Sequence, residues 1–527
     1  MQKRISVSQI LAAVLLVLLW GGTRLFLLGE IPEGLYMDEA GMAYDAWCLA
    51  NYGVDRYLKP FPVYLTNYGG GQSAMYAWLA AGLIALTDSA SALVLRLPAA
   101  AFGLLTVVFG ALIVREIMGK EHPWAWLVFG LFCLACPYFT MASRFGLDCN
   151  LMLGMSTVFL YALIRAVKGG RPLWYALAGA AGGLTLYTYA LSYLTAVLFV
   201  LFLLVWLVRM RRLRWRNAVA AAVPLALIAW PLVAVQVINL FDLPEVTLFG
   251  TFTLTKLSDY RAYELSFSHF FENLGNIFRV MLSYDNFNFN SNRRFWTLYP
   301  ISIPFVLIGA ARLVLCAVRS FRRRAFDAAV PVLAWALFVI LGCAVVGSGE
   351  ERIEPNIYRT NGAMFALAAC AVAGFYTAAG WLRGKWKRVG AAALAAAYAG
   401  WAFGFFAWYF TRQGRLTGFM NVPEQAVAYV EGSEELRGRP VYALNYDAVM
   451  LLAMRASPYD YNLPKRAPGE PYRNYVFQFA FEQPYDPDAV YMADSLYFSY
   501  NPNVAQALME AGMAPVEIDG TTIYFAE

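Results

Sequence analysis

The feature that most constrains this chain is a series of long apolar runs that carry almost no charge. Each run approaches the roughly 20 residues that an α-helix needs to cross a bilayer. Of the 527 residues, 60% are hydrophobic and only 14% are charged. A soluble protein carries nearer to about a quarter of charged residues. The sequence therefore predicts a polytopic α-helical membrane protein.

Basic clusters between the apolar runs fix the predicted topology. They fall on one side if residues 72–87 do not span, and the positive-inside rule makes that side cytoplasmic. The N-terminus is then inside and the C-terminus outside, and the first run, which lacks a small-residue cleavage site, is a retained helix. Eleven spans are predicted, at about 9–28, 92–114, 122–141, 150–167, 173–189, 191–208, 217–238, 298–318, 329–347, 361–381 and 389–411.

Two features of the outer side follow from this topology. The first loop carries a short helix that starts near Asp38 and a second, apolar one at 72–87, which we expect to lie in or dip into the outer interface as a juxtamembrane pair. The last part of the chain is polar. Within it, RPVYALNYD and DAVYMAD alternate like strands, whereas EQAVAYVEG and NVAQALMEAG are typical of helices. We predict a transmembrane domain over 1–411 and a small extracytoplasmic α/β domain over 412–527.

Charge, cysteine and histidine usage exclude several classes of protein. The net charge of +6 arises from short loops that set topology, so it does not indicate nucleic-acid binding. The seven cysteines are scattered mostly within apolar runs, which does not indicate a disulfide framework. His122 and His269 are isolated from each other, which does not favour a zinc site.

The first candidate site is the carboxylate pair Asp38 and Glu39, placed just after the first span. Asp38 alone is explicable as a helix cap, with Glu39 favoured by the helix dipole. The adjacent pair, near Tyr44 and Asp45 in an apolar region, favours a functional role. A carboxylate here could accept a proton from an acceptor hydroxyl or ligate a divalent cation, the one candidate cofactor. Beside Asp38, Glu39 is expected to orient the acceptor or to join such a metal site.

Two further charged groups are predicted on the same face. Arg144 and Asp148 lie four residues apart between two spans, a spacing that fits either a local ion pair or a direct catalytic role. Both hold if Asp148 orients Arg144 towards a phosphate. Arg352 and Arg359 lie in a short loop dense in charge. A guanidinium binds two phosphate oxygens at once, whereas an exposed salt bridge would contribute little.

Tyrosines at the end of a predicted span form a weaker candidate. Tyr187 and Tyr189 stand where interfacial tyrosines usually act as anchors. Either could instead line a substrate pocket.

The order of these elements resembles the GT-C class of membrane glycosyltransferases, and more narrowly glycosyltransferase family 39. That family includes protein O-mannosyltransferases and aminoarabinose transferases. The residues that carry the resemblance are Tyr36-Met37-Asp38-Glu39-Ala40, the run Leu95-Arg96-Leu97-Pro98-Ala99-Ala100-Ala101-Phe102-Gly103-Leu104-Leu105-Thr106-Val107, and the stretch from Cys136-Pro137-Tyr138 through Ser143-Arg144 to Asp148.

The resemblance implies a transferase that uses a polyprenyl-phosphate sugar, with Asp38 as base and Arg144 and Asp148 near the cavity. Many relatives carry Lys-Pro-Pro in the first loop where this chain has the segment from Asn67 to Gln72. Arg352 and Arg359 are therefore expected to hold the phosphate. The implied partners are this donor, membrane lipids and a glycan, lipid or protein acceptor, with no nucleic acid.

The leading hypothesis is thus an inverting hexosyl- or pentosyltransferase in a bacterial plasma membrane, with its active site on the outer face. A multi-pass transporter or flippase of a lipid-linked envelope precursor is the alternative. It predicts charges deep within spans and pseudo-symmetric halves, which the sequence does not show. A third hypothesis is a membrane scaffold that binds through its outer domain.

Overall fold

A computed structural model describes residues 6–67, 70–260, 265–285, 289–346, 356–411, 419–467 and 469–526. The helices in these ranges are α1 (Val7–Arg24), α2 (Met37–Tyr52), α3 (Met75–Thr87), α4 (Ala92–Met118), α5 (Ala125–Ala135), α6 (Pro137–Ala142), α7 (Asp148–Gly169), α8 (Pro172–Leu186), α9 (Leu191–Arg209), α10 (Trp215–Leu240), α11 (Phe270–Leu282), α12 (Ile303–Arg323), α13 (Ala329–Ala344), α14 (Asn361–Trp381), α15 (Lys385–Thr411), α16 (Glu424–Gly432), α17 (Asp447–Ala453), α18 (Pro458–Tyr461), α19 (Ser495–Tyr500) and α20 (Pro502–Glu510).

The strands are short and most of them lie near the C-terminus. They are β1 (Leu35–Tyr36), β2 (Tyr64–Asn67), β3 (Gly70–Ser73), β4 (Val246–Leu248), β5 (Phe252–Leu254), β6 (Phe419–Met420), β7 (Val441–Leu444), β8 (Tyr475–Gln478), β9 (Val490–Asp494), β10 (Ala514–Ile518) and β11 (Thr521–Phe525).

Eight helical segments in the described ranges are long and apolar enough to cross a membrane, which makes the chain an integral membrane protein. They include α1, α4, α7, α9, α10 and α15, together with α12 and α14, each extended by a preceding 3₁₀ turn. The other three predicted spans, at 122–141, 173–189 and 329–347, are occupied by shorter helices. The number of eleven spans is therefore not confirmed, although every predicted span is helical.

A proline accounts for one of these differences. The predicted span 122–141 is divided into α5, which ends at Ala135, and α6, which starts at Pro137. Proline disfavours helical backbone in the residue before it, and Cys136 is extended with ψ of 135°. The break separates α6 from α5, and α6 is followed by the loop that leads to Asp148.

The first loop folds as the predicted pair of helices. Most of α2 is buried from Glu39 to Leu49, so it is enclosed by protein on nearly all sides. Helix α3 has 13 residues and a length of about 20 Å at roughly 1.5 Å per residue, which is too short to cross a bilayer. Between the two helices, β2 and β3 form an antiparallel hairpin whose first strand ends at Asn67.

The C-terminal segment forms a mixed five-stranded sheet in the order β10-β11-β9-β7-β8. Strand β7 is parallel to β8 and β9, while β11 pairs antiparallel with β9 and β10. The predicted strands at RPVYALNYD and DAVYMAD are β7 and β9, and the predicted helices are α16 and α20. A small sheet domain at the C-terminus is thus confirmed.

The sheet domain rests directly on the first loop. Helix α17 packs against α2, and the Tyr44 hydroxyl donates to the carbonyl of Ala456 at 2.9 Å. Strand β6 also pairs with β1, just before α2. Gly34 precedes that pairing with a φ of +76°, and a Cβ there would lie 2.4 Å from the carbonyl oxygen of Met420. The C-terminal domain therefore helps to fix the start of α2, where Asp38 lies.

Candidate active site

A cavity of about 280 Å³ brings together four of the predicted site residues. Asp38, Asp148, Tyr189 and Arg359 come from four separate parts of the chain, yet all of them line this cavity. The other residues around it are Tyr36, Met37, Asn67, Gly71, Gln72, Leu147, Cys149, Phe289 and Tyr358. The arrangement places two carboxylates, one guanidinium and several aromatic rings around one space.

Asp38 lies in the first turn of α2, where the helix dipole stabilises a negative charge. The Asn67 amide nitrogen donates to its Oδ1 at 2.9 Å. Since Asn67 ends β2, the hairpin of the first loop positions this contact. A carboxylate held in this way is oriented towards the cavity and can still accept a proton.

The orientation of Asn67 is set by a buried arginine. Arg56 Nη2 donates to the Asn67 Oδ1 at 2.6 Å, which leaves the amide nitrogen to face Asp38. The same Nη2 lies 3.2 Å from Oδ2 of Asp45, and the Arg56 backbone nitrogen donates to Oδ1 of Asp45. Gly41 permits this packing, since a Cβ there would lie 2.9 Å from Arg56 and from Asn67.

Three contacts connect these side chains in series. Asp45 pairs with Arg56, Arg56 donates to Asn67, and Asn67 donates to Asp38. Asp45 is fully buried, and burial raises its pKa to about 6 although Arg56 opposes the shift. Neither Arg56 nor Asn67 was predicted to have a role. Asn67 begins the segment that differs from the Lys-Pro-Pro expected from the family resemblance, but spacing along the chain does not reveal a contact between residues 38 and 67.

Asp148 is the first residue of α7, one of the most enclosed helices. Its Oδ2 accepts the backbone N–H of Ser73 at 3.1 Å, and its Oδ1 accepts that of Cys149 at 2.7 Å. Neither the ion pair with Arg144 nor an orientation of Arg144 by Asp148, both left open by their spacing, is present, because Arg144 donates to backbone carbonyls instead. Asp148 is instead held by backbone donors from α7 and from the end of the first-loop hairpin, facing the same cavity as Asp38.

Arg144 does not line the cavity. It is buried and donates to four backbone carbonyls at the end of α1 and just after it, with distances of 2.8 to 3.3 Å. Its guanidinium also lies over the rings of Tyr409 and Phe410, at 5.5 and 5.1 Å. The last carbonyls of a helix have no partner within the helix. Arg144 satisfies such carbonyls, so the structure gives it a structural position.

Glu39 also faces away from the cavity, because successive residues on a helix project about 100° apart. Arg96 Nε donates to its Oε1 at 2.9 Å and Arg96 Nη2 to its Oε2 at 3.2 Å. The Gly146 backbone nitrogen adds a third bond at 2.9 Å. The expectation that Glu39 orients an acceptor or joins a metal site finds no support in this geometry, which gives it a structural ion pair.

The remaining predicted residues divide between the cavity and the packing around it. Arg359 and Tyr189 line the cavity. Tyr187 does not, since its hydroxyl donates to the carbonyl of Ile228 at 2.9 Å and its ring packs against Trp78. Arg352 lies outside the residues that the structure describes.

A larger apolar groove lies among the helices α9, α11, α12, α13 and α14. Its volume is about 640 Å³, and it is lined by hydrophobic side chains apart from Arg322 at one end. Small residues such as Ala310, Ala334 and Ala366 keep it open. Helix α11, which supplies Met281 and Leu282, also packs against the turn that carries Arg359.

The chain is similar to known membrane glycosyltransferases, in sequence over one segment and in fold over nearly its full length. Residues 72–238 match the family described as dolichyl-phosphate-mannose-protein mannosyltransferase. The structure resembles ArnT from Cupriavidus metallidurans bound to undecaprenyl phosphate, with a TM-score of 0.53 and 15% identity over 98% of this chain and 97% of that one. The chain has the GT-C fold. The resemblance drawn from the sequence motifs is thereby confirmed.

A second structure of this fold is the archaeal oligosaccharyltransferase AglB from Archaeoglobus fulgidus, in complex with an inhibitory peptide and a dolichol-phosphate. The TM-score is 0.51 at 11% identity, over 99% of this chain and 74% of AglB. No curated protein sequence matches the chain significantly. The GT-C fold thus extends over the whole chain, while the family match covers the segment from the first-loop hairpin to the end of α10.

Proposed function

We propose that the protein transfers a sugar from a polyprenyl-phosphate-linked donor to an acceptor hydroxyl, with inversion at the anomeric carbon. The observation that carries the proposal is the convergence of Asp38, Asp148 and Arg359 on one cavity. A carboxylate can take the proton of the acceptor, and a guanidinium can hold the phosphate that leaves. The similar structures that contain undecaprenyl phosphate and dolichol-phosphate support a lipid-linked donor.

In the proposed reaction, the acceptor oxygen attacks the anomeric carbon from the face opposite the phosphate. Its O–C bond forms while the bond from that carbon to the phosphate oxygen breaks, and the acceptor proton passes to Asp38. The polyprenyl phosphate leaves with the bonding electron pair, and Arg359 stabilises the added negative charge. Asp148 and Tyr189 line the space left for the sugar, where they could accept or donate hydrogen bonds to its hydroxyls.

The apolar groove is the proposed binding site for the lipid tail of the donor. A polyprenyl tail gains about 0.8 kcal/mol for each methylene that it buries, and the groove offers a wall of hydrophobic side chains for that purpose. Its lining helix α11 also packs against the turn of Arg359. One donor could therefore place its tail in the groove and its phosphate at the cavity.

We further propose that the cavity and the C-terminal domain lie on the outer face of a bacterial plasma membrane, with the two domains divided near residue 412. The basic loops support this orientation by the positive-inside rule. A lipid-linked donor suits that face, where nucleotide sugars are absent. The transferred sugar is a hexose or a pentose.

The test is transfer by purified protein from undecaprenyl-phosphate sugars, one hexose and one pentose, to envelope glycan or lipid fractions. Asp38→Asn keeps the hydrogen bond from Asn67 but loses the base, so transfer should fall by about 100-fold or more. Asp88→Asn is the control, since Asp88 is exposed at the end of α3. Wild-type transfer by folded Asp38→Asn would refute the proposal. Donor flux across proteoliposomes without any transfer would instead indicate a flippase.

A further inference from the structure

A second cavity lies where the first loop meets the C-terminal domain. Its volume is about 330 Å³, and Arg56 and Tyr57 of the first loop face Tyr446, Tyr461, Arg466 and Phe479 of the C-terminal domain across it. None of the predicted site residues that the structure describes lines it. A concave space with several aromatic rings and a few convergent polar groups is the usual form of a binding site.

Aromatic rings make up much of the wall. Phe479 is 74% exposed, and its ring meets that of Tyr446 edge-on with centroids 5.1 Å apart. Tyr461 and Phe477 form a second pair at 6.3 Å. An exposed phenylalanine that is held by a neighbouring ring at a cavity mouth offers a flat apolar face to a ligand.

One side of the cavity is a loop that is folded in advance. Arg466 lies over the Tyr461 ring at 4.5 Å, and its guanidinium donates to the carbonyls of Tyr461, Glu470 and Pro471 at 2.8 to 3.3 Å. These bonds connect Arg466 to residues 461, 470 and 471, and so hold the rim that these residues form in place. Because the rim is already ordered, a ligand that binds there would lose little free energy to ordering it.

The charges around this cavity balance. Among the described residues that line it, the basic ones are Arg56 and Arg466, and the acidic ones are Asp447 and Glu470. An anionic ligand would meet as many carboxylates as guanidiniums, which does not favour a phosphorylated headgroup. An uncharged ligand that carries many hydroxyls and flat C–H faces fits both the polar groups and the rings.

Arg56 connects the two cavities. It lines the second one, and its Nη2 donates to Asn67, which lines the first and donates to Asp38. We propose that the second cavity binds uncharged sugar rings of the acceptor glycan beside the rings of Tyr446 and Phe479, next to the site where its hydroxyl reacts. The inference rests on the proposed function and specifies the acceptor as a saccharide.

Binding can be measured without turnover. The full-length protein in detergent is titrated by calorimetry with neutral hexasaccharides built from glucose, mannose or N-acetylglucosamine. At least one should bind, and Phe479→Ala should weaken it about tenfold through loss of the stacked ring. Phe479 is exposed, so the variant should fold. Phe249→Ala is the matched control, because Phe249 is 94% exposed at the turn between β4 and β5, outside the cavity.

Three results would overturn the inference. The first is that none of the hexasaccharides binds, and the second is that wild type and Phe479→Ala bind them equally. The third is that a neutral peptide library binds at Phe479 while none of the saccharides does. The proposed function fails differently. Asp38→Asn should bind the hexasaccharide as wild type does while losing transfer, so full transfer by that variant would refute only the reaction proposed for Asp38.

Discussion

The side-chain amide nitrogen of Asn67 donates a hydrogen bond to Oδ1 of Asp38 at 2.9 Å. Arg56 determines which end of that amide faces the carboxylate, because it donates to the Asn67 oxygen at 2.6 Å. A carboxylate that this amide helps to orient should be sensitive to the loss of the amide. This relationship gives the first prediction.

Asn67→Ala should lower kcat for sugar transfer by about 10- to 100-fold, by analogy with the loss of a side chain that orients a metal ligand. The KM for the donor should change little, because in our proposal Arg359 and the apolar groove bind it. Steady-state kinetics with an undecaprenyl-phosphate sugar would measure both. Asn51→Ala at the exposed end of α2 is the control. An unchanged kcat with a higher KM would show that Asn67 contacts substrate instead.

The buried pair of Glu39 and Arg96 predicts a loss of stability. Glu39→Gln leaves the Arg96 guanidinium in a buried site without its counter-charge, which typically costs about 3–5 kcal/mol. Thermal unfolding in detergent should therefore occur at a clearly lower temperature. Glu121→Gln, at an exposed turn, should unfold like the wild type. A Glu39→Gln protein of full stability and no activity would restore the catalytic interpretation of Glu39.

The sequence predicted that Asp38, Asp148, Tyr189 and Arg359 share one face of the protein better than it predicted the contacts of their neighbours. Asp38, Asp148, Tyr189 and Arg359 were each placed at the outer end of a span or in an outer loop, and a shared face is what brings them to one cavity. Helical topology follows from apolar runs and basic loops, both of which are local patterns. Such patterns extend to the strands and helices of the C-terminal domain.

Roles that depend on distant partners could not be predicted in this way. Glu39 and Arg144 looked functional because they are charged and adjacent to Asp38 and Asp148 in sequence. Their partners are Arg96 and the carbonyls around the end of α1, which lie far along the chain. A buried charge must be paired wherever its partner is found, and only the tertiary structure identifies that partner.

A pH dependence of stability follows from Asp55. Its Oδ1 accepts the backbone N–H groups of Tyr57 and Lys59, but burial and the nearby Asp45 raise its pKa to about 7. A carboxyl group with a raised pKa in the folded state favours folding most below its unfolded pKa of about 4. Its contribution is lost as the pH rises from about 4 to 7 and is constant above that range.

Asp55→Asn keeps an oxygen for both backbone donors and removes the titration. The stability of the wild type relative to this variant should therefore fall between about pH 4 and pH 7, by on the order of a few kcal/mol at most. Unfolding temperatures of both proteins across that range would measure the difference. The unfolding temperature of Asp88→Asn, which changes an exposed residue, should depend on pH in the same way as that of the wild type. Parallel curves for Asp55→Asn would contradict the prediction.

The apolar groove predicts a dependence on donor chain length. Ala310 lines the groove on α12, whereas the next residue, Ala311, is exposed on another face of the same helix. Ala310→Phe should fill part of the groove and displace the tail of a long donor. If the added ring keeps two methylenes of the tail from being buried, at about 0.8 kcal/mol each, the KM for the long donor rises about tenfold.

Kinetics with undecaprenyl and geranyl phosphate sugars would separate this effect from damage to the cavity. Ala310→Phe should raise KM for the long donor only, since a short tail leaves most of the groove empty. Ala311→Phe adds the same ring at the exposed position and should leave both KM values unchanged. An equal loss for both donors would mean that the substitution disturbs the fold. Wild-type kinetics of Ala310→Phe with the long donor would exclude this groove as the site of the tail, because the added ring and the tail cannot occupy the same space.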